Sequence, residues 1–268
     1  INHGGGPMPL LGQQPEIASF LAAYGHAFVG RLPRAVVVAT AHWEEDVVTV
    51  SAAPSSSLLF DYGGFPPESY QYQYSAPGEP SVAAEIVKLL GDAGIKVRTD
   101  TKRGWDHGVF VPMMCMFPKA QVPIVQLSLL RNQDAAQHLA LGMALSSLRE
   151  RGVLIVGSGV SFHNFEYFFS NDPRKKQEGQ RQGKIWDEWL RGILTNPNLS
   201  TRERLAELLR WEQAPGAIQS HPRGAAEHLM PLFVVAGAAA GTPAIAVGDS
   251  SEKGGIMGFA MSQFEFHS

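Results

Sequence analysis

Nine histidines and a single cysteine, Cys115, are spread over a chain of 268 residues, so metal-binding or proton-transfer chemistry here falls mainly to imidazole. Five histidines stand in unusual company. His3 precedes a triple glycine in "INHGGGPMP", and His42 follows the apolar run "AVVVAT" by two residues. His107 lies in "RGWDHGVFVPM", His163 in "GSGVSFHNF" and His228 in "AAEHLMPLF". Neutral imidazole is a good ligand for zinc, iron, copper and nickel. Its ordinary pKa near neutrality also lets it take up and return a proton at physiological pH. Several protonated imidazoles in one crevice would repel each other, whereas a cation holds them neutral.

The elements around these residues must bring them together, because no two have the spacing of a local ligand motif. Short β-branched or apolar runs at 35–40, 47–53, 95–99, 122–129 and 153–159 read as strands. Helical periodicity marks 81–94, 134–152, 175–194, 201–211 and a buried helix over 225–241. Strands over 243–248 and 255–266 close the chain. Strands alternating with helices predict a single α/β domain over 1–268, with a largely parallel central sheet flanked by helices. In such sheets ligands bind beyond the carboxyl ends of the strands. His3, His42 and His163 fall at or just past such ends, which makes a metal site assembled by the fold the natural expectation, at the C-terminal strand ends. Glycines beside His3 and His107 would allow close approach.

The remaining candidates divide by context. His26 and His138 sit in helix-like segments and read as surface or packing residues, and His267 as a solvated tail residue. His221, in the loop before His228, stays open between a pocket and a packing role. Among the carboxylates, Glu44, Asp106 and Glu227 each adjoin a candidate histidine. Adjacent residues on a helix point about 100° apart, so only one of Glu227 and His228 can face a metal easily. Asp106 is expected to fix an imidazole tautomer from behind, and Glu44 equally suits a solvated strand end. The irregular stretch 60–80, rich in Pro, Gly and Tyr, is too long for a plain connector and reads as a functional loop.

Composition narrows the function classes. Apolar residues make up 44% and charged residues 18%, enough for a sizeable core. The net charge of −3, without a long basic run, gives no electrostatic support for nucleic-acid binding. The longest apolar candidate, "LMPLFVVAGAAAG", is shorter than the roughly 18–20 residues that span a bilayer. With one cysteine and no signal peptide evident, a reducing, cytoplasmic setting is expected. The start at Ile1, with His3 almost at once, suggests that most of a first strand precedes this numbering.

Seven motifs in register, "HGGGPMPL", "AHWE", "DYGGFPPESYQ", "RGWDHGVFVPM", "VPIVQLSL", "GSGVSFHNF" and "EHLMPLFVVAGAA", resemble the class III extradiol ring-cleavage dioxygenases. The similarity is greater to their DOPA-4,5-dioxygenase-like branch. It implies an α/β fold with one divalent metal per chain held by His3, His42 and His228. Fe(II) is the species expected for activity, and Zn(II) is possible as a bound species. It implies His163 as the catalytic histidine, near enough to the metal to serve as an occasional fourth ligand, and His107 as a second pocket histidine that helps bind substrate or oxygen. The implied reaction opens a catechol-type ring with O2 next to its two hydroxyl carbons and leaves a semialdehyde. Tyr62 and Phe65 of the 60–80 loop, with Asn164 and His221, are the expected substrate contacts. Two other readings remain at this stage: a zinc-dependent hydrolase, because three neutral histidines also describe a zinc site with an open position, and a non-catalytic metal-binding relative of the fold. Neither needs His163 and His107 beside a complete ligand set.

Overall fold

The computed structural model describes residues 1–247 and 256–267. Its centre is a five-stranded sheet built from β1 (Ala35–Glu45), β2 (Val48–Ser51), β3 (Val97–Asp100), β4 (Ile124–Leu130) and β5 (Val153–Ser158), in the order β3-β2-β4-β1-β5. β1 runs parallel to β4 and β5, and β2 parallel to β3; only the short β2–β4 pairing is antiparallel. The middle strands are almost wholly buried, as continuous β-branched runs require when helices cover both faces.

The helices are α1 (Pro15–His26), α2 (Pro80–Asp92), α3 (His107–Met116), α4 (Ala135–Leu145), the single turns α5 (Ser147–Glu150) and α6 (Phe165–Phe168), α7 (Pro173–Leu194), α8 (Thr201–Leu208), the turn α9 (Ala217–Ser220) and α10 (Met230–Ala238). Two apolar clusters cover the sheet. One joins Val37, Ala39 and Leu127 to Leu141, Phe233 and Val234. The other joins Val36 and Val38 to Leu21, Val109 and Phe110. The expected α/β fold with a largely parallel sheet is therefore present.

Several boundaries differ from the sequence expectation, each for a local reason. The segment 134–152 breaks at Ser146 into α4 and α5. The segment 201–211 is helical only to Leu208 and continues as a 3-10 turn at Trp211–Gln213. The helix expected over 225–241 begins only at Met230, because Pro231 lacks an N–H and fits only the first turn. His228 consequently lies in the turn that leads into α10, not on the helix. α3 carries no amphipathic stripe because it is apolar all round and buried on nearly every side. The closing strands are short, β6 (Ile245–Val247) and β7 (Gln263–Glu265), and pair antiparallel in a separate two-stranded sheet. Positions 248 and 255 of the expected strands lie outside the described residues.

β5 meets the segment of His228 with almost no space between backbones. A Cβ on Gly159 would stand 2.2 Å from the His228 carbonyl oxygen, and one on Gly157 would stand 2.5 Å from that of Pro231. The Val160 N–H donates to the same His228 carbonyl at 3.1 Å. Gly159→Ala is therefore expected to push the 228–231 backbone off the strand and to cost about 1–3 kcal/mol. A denaturant midpoint equal to that of the wild type would contradict this contact.

Candidate metal centre

His3 follows directly on Asn2, which bridges in parallel to Gly159 just beyond β5. His42 lies inside β1 rather than two residues beyond it. The pairing of β1 with β4 loses register between Ala39 and Glu44, so the strand continues through an irregularity that carries His42. The His42 N–H donates to Thr40 Oγ1 at 3.2 Å, and Arg103 donates to the His42 carbonyl at 2.9 Å. His228 is held by the Gly159 contact. These segments, distant in sequence, bring ligand nitrogens of His3, His42 and His228 within 4.8 Å of one another. The Nε2 atoms of His3 and His42 are 3.3 Å apart.

The outward nitrogens of these rings explain why the inward ones suit a cation. The Ser158 hydroxyl donates to the Gly108 carbonyl, so its oxygen can only accept from His3 Nδ1, at 2.9 Å. Glu227 Oε1 accepts from His228 Nδ1 at 2.8 Å. Asp61 Oδ2 stands 3.4 Å from His42 Nδ1. Each Nδ1 therefore faces an acceptor that favours its proton there, which leaves a lone pair on each Nε2. Two such lone pairs facing each other at 3.3 Å repel, and a divalent ion between them removes the repulsion. The donor set thus fits one of the nitrogen-loving divalent metals, zinc or iron among them.

Electrostatics agree. Burial, followed by the neighbouring histidines, drives His3 and His228 well below the ordinary histidine pKa. Burial also lowers His42 to about 3, with His107 adding to the effect and Asp61 opposing it. His163 is lowered by burial, against the pull of Glu227. All four favour the neutral form that metal binding requires.

Around the three rings stand the other expected residues. His163 stacks on His228, with centroids 3.5 Å apart and planes 17° apart, and its Nδ1 lies 3.4 Å from the Glu227 oxygen that holds His228. The backbone N–H of His163 donates to the Ser220 carbonyl at 2.9 Å, which fixes the loop after β5. His107 opens α3, and its ring lies 3.9 Å from that of His42. Gly108 permits this approach, since a Cβ there would stand 3.1 Å from His42 Cδ2 and 2.7 Å from Thr40 Oγ1. Tyr62 presents its ring edge-on to His107 at 5.9 Å and donates its hydroxyl to the Ser69 carbonyl. Phe65 packs on Tyr62 and against Gly6, so the 60–80 loop closes over the segment that bears His3.

Two expected substrate contacts are placed elsewhere. His221 is fully buried; its Nε2 lies 2.8 Å from the Ser161 carbonyl, and its ring packs between Trp186 and Trp211. It therefore packs behind the loop that carries His163, with no hydrogen-bond partner for its Nδ1 among the described residues. Asn164 caps α6, accepting from the Glu166 N–H and donating to the Gln219 carbonyl. Asp106 also differs from expectation. It bonds Thr40, Arg103 and Gln126, not an imidazole, and pins the irregularity of β1 to the start of α3. Burial, with the charge of Asp61, pushes its carboxyl up despite these donors. Glu44 accepts from Gln133. His138 is a packing residue that accepts from the Leu130 N–H, while His26 and His267 are exposed.

Sequence reasoning passed over Asp61 and Ser158, and it did not assign Glu227 to His228. Asp61 sits in an irregular loop 46 residues from His107, and no spacing rule connects them. Its only signal is a carboxylate within "DYGGFPPESYQ", a motif already singled out.

The chain is similar to several known proteins. The family described as "Catalytic LigB subunit of aromatic ring-opening dioxygenase" matches residues 7–256. The "Dioxygenase tasH" of Hapsidospora irregularis is 41% identical over 89% of this chain and 76% of its own length. The "4,5-DOPA dioxygenase extradiol" of Beta vulgaris is 36% identical over 98% of this chain and 94% of its own. A solved structure of an uncharacterized Escherichia coli protein superposes with a TM-score of 0.70 at 28% identity, covering 92% of this chain and 90% of that one.

The buried neutral histidines set a pH dependence. Their folded pKa values lie below the ordinary 6.5, so the unfolded chain binds more protons as pH falls through 6.5. The stability of chelator-treated protein is thus full above that value. It is expected to fall by up to about 1.4 kcal/mol per buried histidine for each pH unit below it. A melting temperature that stays flat between pH 7.5 and 5 (roughly the histidine range) would contradict the burial of these rings in neutral form.

Proposed function

Since the chain belongs to the family of catalytic LigB subunits of aromatic ring-opening dioxygenases, we propose that it opens a catechol-type ring extradiol, with His3, His42 and His228 holding the metal. The observation that carries the reading is the convergence of three imidazoles whose outward nitrogens each face an acceptor. The chain is an aromatic ring-opening dioxygenase by family, and its substrates are an aromatic compound and O2. Relatives named for 4,5-DOPA support an ortho-dihydroxylated ring as the substrate class.

A bound Fe(II) would supply the Lewis acidity that makes a catechol hydroxyl easier to ionise and the redox capacity that O2 chemistry needs. The protein's own groups do the rest. His163 is the proton carrier: burial keeps it neutral, and hence a base, while Glu227 beside its Nδ1 stabilises the imidazolium once it has taken the catechol proton. The same ring then returns the proton as the ring opens. Its stacking on His228 fixes the imidazole next to the ligand set without spending its nitrogens. His107, with Nδ1 occupied by Asp61, keeps its other nitrogen for substrate or oxygen. Tyr62 and Phe65 provide an apolar wall for the ring and limit the entry of water. Among the described residues, no helix is long and apolar enough to cross a membrane.

Anaerobic loading with Fe(II), followed by oxygen-electrode measurements over a panel of catechols, tests the reaction. Stoichiometric uptake with a yellow semialdehyde product is expected. Ester cleavage by the zinc-loaded protein, with no oxygen uptake by the iron-loaded one, would overturn the reading in favour of a hydrolase. Two substitutions separate the roles. His42→Ala should abolish stoichiometric metal by elemental analysis. His163→Ala should retain metal and lose turnover by about 100-fold or more; an unchanged ring-opening rate would remove His163 from the mechanism.

A further inference from the structure

Asp61 serves two imidazoles of the centre from a loop outside the sheet. Its Oδ1 accepts twice from His107, from the backbone N–H at 2.9 Å and from Nδ1 at 2.8 Å. Its Oδ2 lies 3.4 Å from Nδ1 of His42, within ion-pair distance. The two rings so joined are 3.9 Å apart. The next residue but three from Asp61, Phe65, packs on Tyr62, whose ring edge meets His107. One carboxylate thus touches the strand that carries His42, the helix that begins at His107 and the loop that walls the substrate space.

We propose that Asp61 is a positioning residue that fixes the Nδ1–H tautomer of both His42 and His107, aims their Nε2 atoms into the centre and ties the substrate loop to the metal-binding strand. This inference rests on the reading of His42 as a ligand. The chemistry of the carboxylate accounts for the choice of residue. Asp61 accepts twice from His107 through Oδ1 and presents Oδ2 to His42 Nδ1 at 3.4 Å, and an ionised carboxylate is acceptor-only. An amide cannot do this. In Asp61→Asn the two His107 donors compel the amide oxygen to face His107. The NH2 group is then left facing His42 Nδ1. That contact rewards the tautomer with its lone pair on Nδ1 and its hydrogen on Nε2, the wrong form for a ligand. The near-isosteric Asn is therefore expected to be no better than Ala. A role in loop packing alone predicts the reverse, with Asn restoring what Ala removes.

The test uses zinc alone as the probe, in competition with a chromophoric chelator, so that it does not depend on turnover. Asp61→Asn and Asp61→Ala should each weaken zinc binding by about 10- to 100-fold. Tyr70→Ala, which removes a ring that packs on Phe60 and Tyr62 of the same loop and leaves the carboxylate in place, should leave zinc affinity unchanged. Zinc affinity of Asp61→Asn equal to wild type, or a loss in Tyr70→Ala as large as in Asp61→Asn, would overturn the proposal. A second measurement needs no variant. Long-range 1H–15N spectra of zinc-loaded wild-type protein should show both His42 and His107 protonated at Nδ1, and Nε2–H on either ring would overturn the proposal even if the variants fail to fold. Zinc binding that survives His42→Ala in full would instead bring down the ligand reading itself, and this inference with it; loss in His42→Ala with no loss in Asp61→Asn would bring down the inference alone.

Discussion

The centre depends on one constraint: imidazoles buried together must be neutral, and their protons must point away from one another. Burial, with the mutual effect of the neighbouring imidazoles, secures the first condition. It does not secure the second, because a neutral imidazole can carry its hydrogen on either nitrogen. The acceptors behind the rings, Ser158, Glu227 and Asp61, make that choice. Without them the same histidines would be a cluster of buried polar groups with undefined hydrogen positions. With them, the cluster presents lone pairs to a shared point.

The rest of the fold can be understood as what brings those acceptors and rings within reach. The lost register in β1 lets His42 leave the ordinary pleat, and Asp106 pins that irregularity through Thr40 and Arg103. A single methyl group at Gly159 would meet the backbone that carries His228, and one at Gly108 would meet the side chains of Thr40 and His42. Pro231 starts α10 late and so leaves His228 on a turn, where it can meet both its own neighbour Glu227 and the stacked ring of His163. Glu227 illustrates the economy of the arrangement, since one oxygen faces His228 and His163 together.

Much of this is legible in the sequence alone. The β-branched runs identified the five strands of the central sheet, and their alternation with helices identified the largely parallel topology. The strand-end rule singled out His3, His42 and His163, and motif resemblance added His228 and His107. What stayed hidden has physical reasons. α3 has no polar face, so no helical periodicity marks it. The helix start at Met230 follows from Pro231, a breaker that the apolar run around it disguised. His221 and Asn164 carry site-like residue types but bond backbone carbonyls, and only the closed fold reveals that. Asp61 reaches His107 across 46 residues, from a segment with neither helical nor strand periodicity. Contacts of that kind are set by the closed fold, not by any local pattern.

Anomalous diffraction at the iron edge, from crystals loaded with Fe(II) under anaerobic conditions, tests the central claim most directly. A single strong peak about 2.0–2.2 Å from Nε2 of each of His3, His42 and His228 is the predicted result. Iron bound through an Nδ1 atom, or held by a set of residues that omits one of the three, would contradict the account.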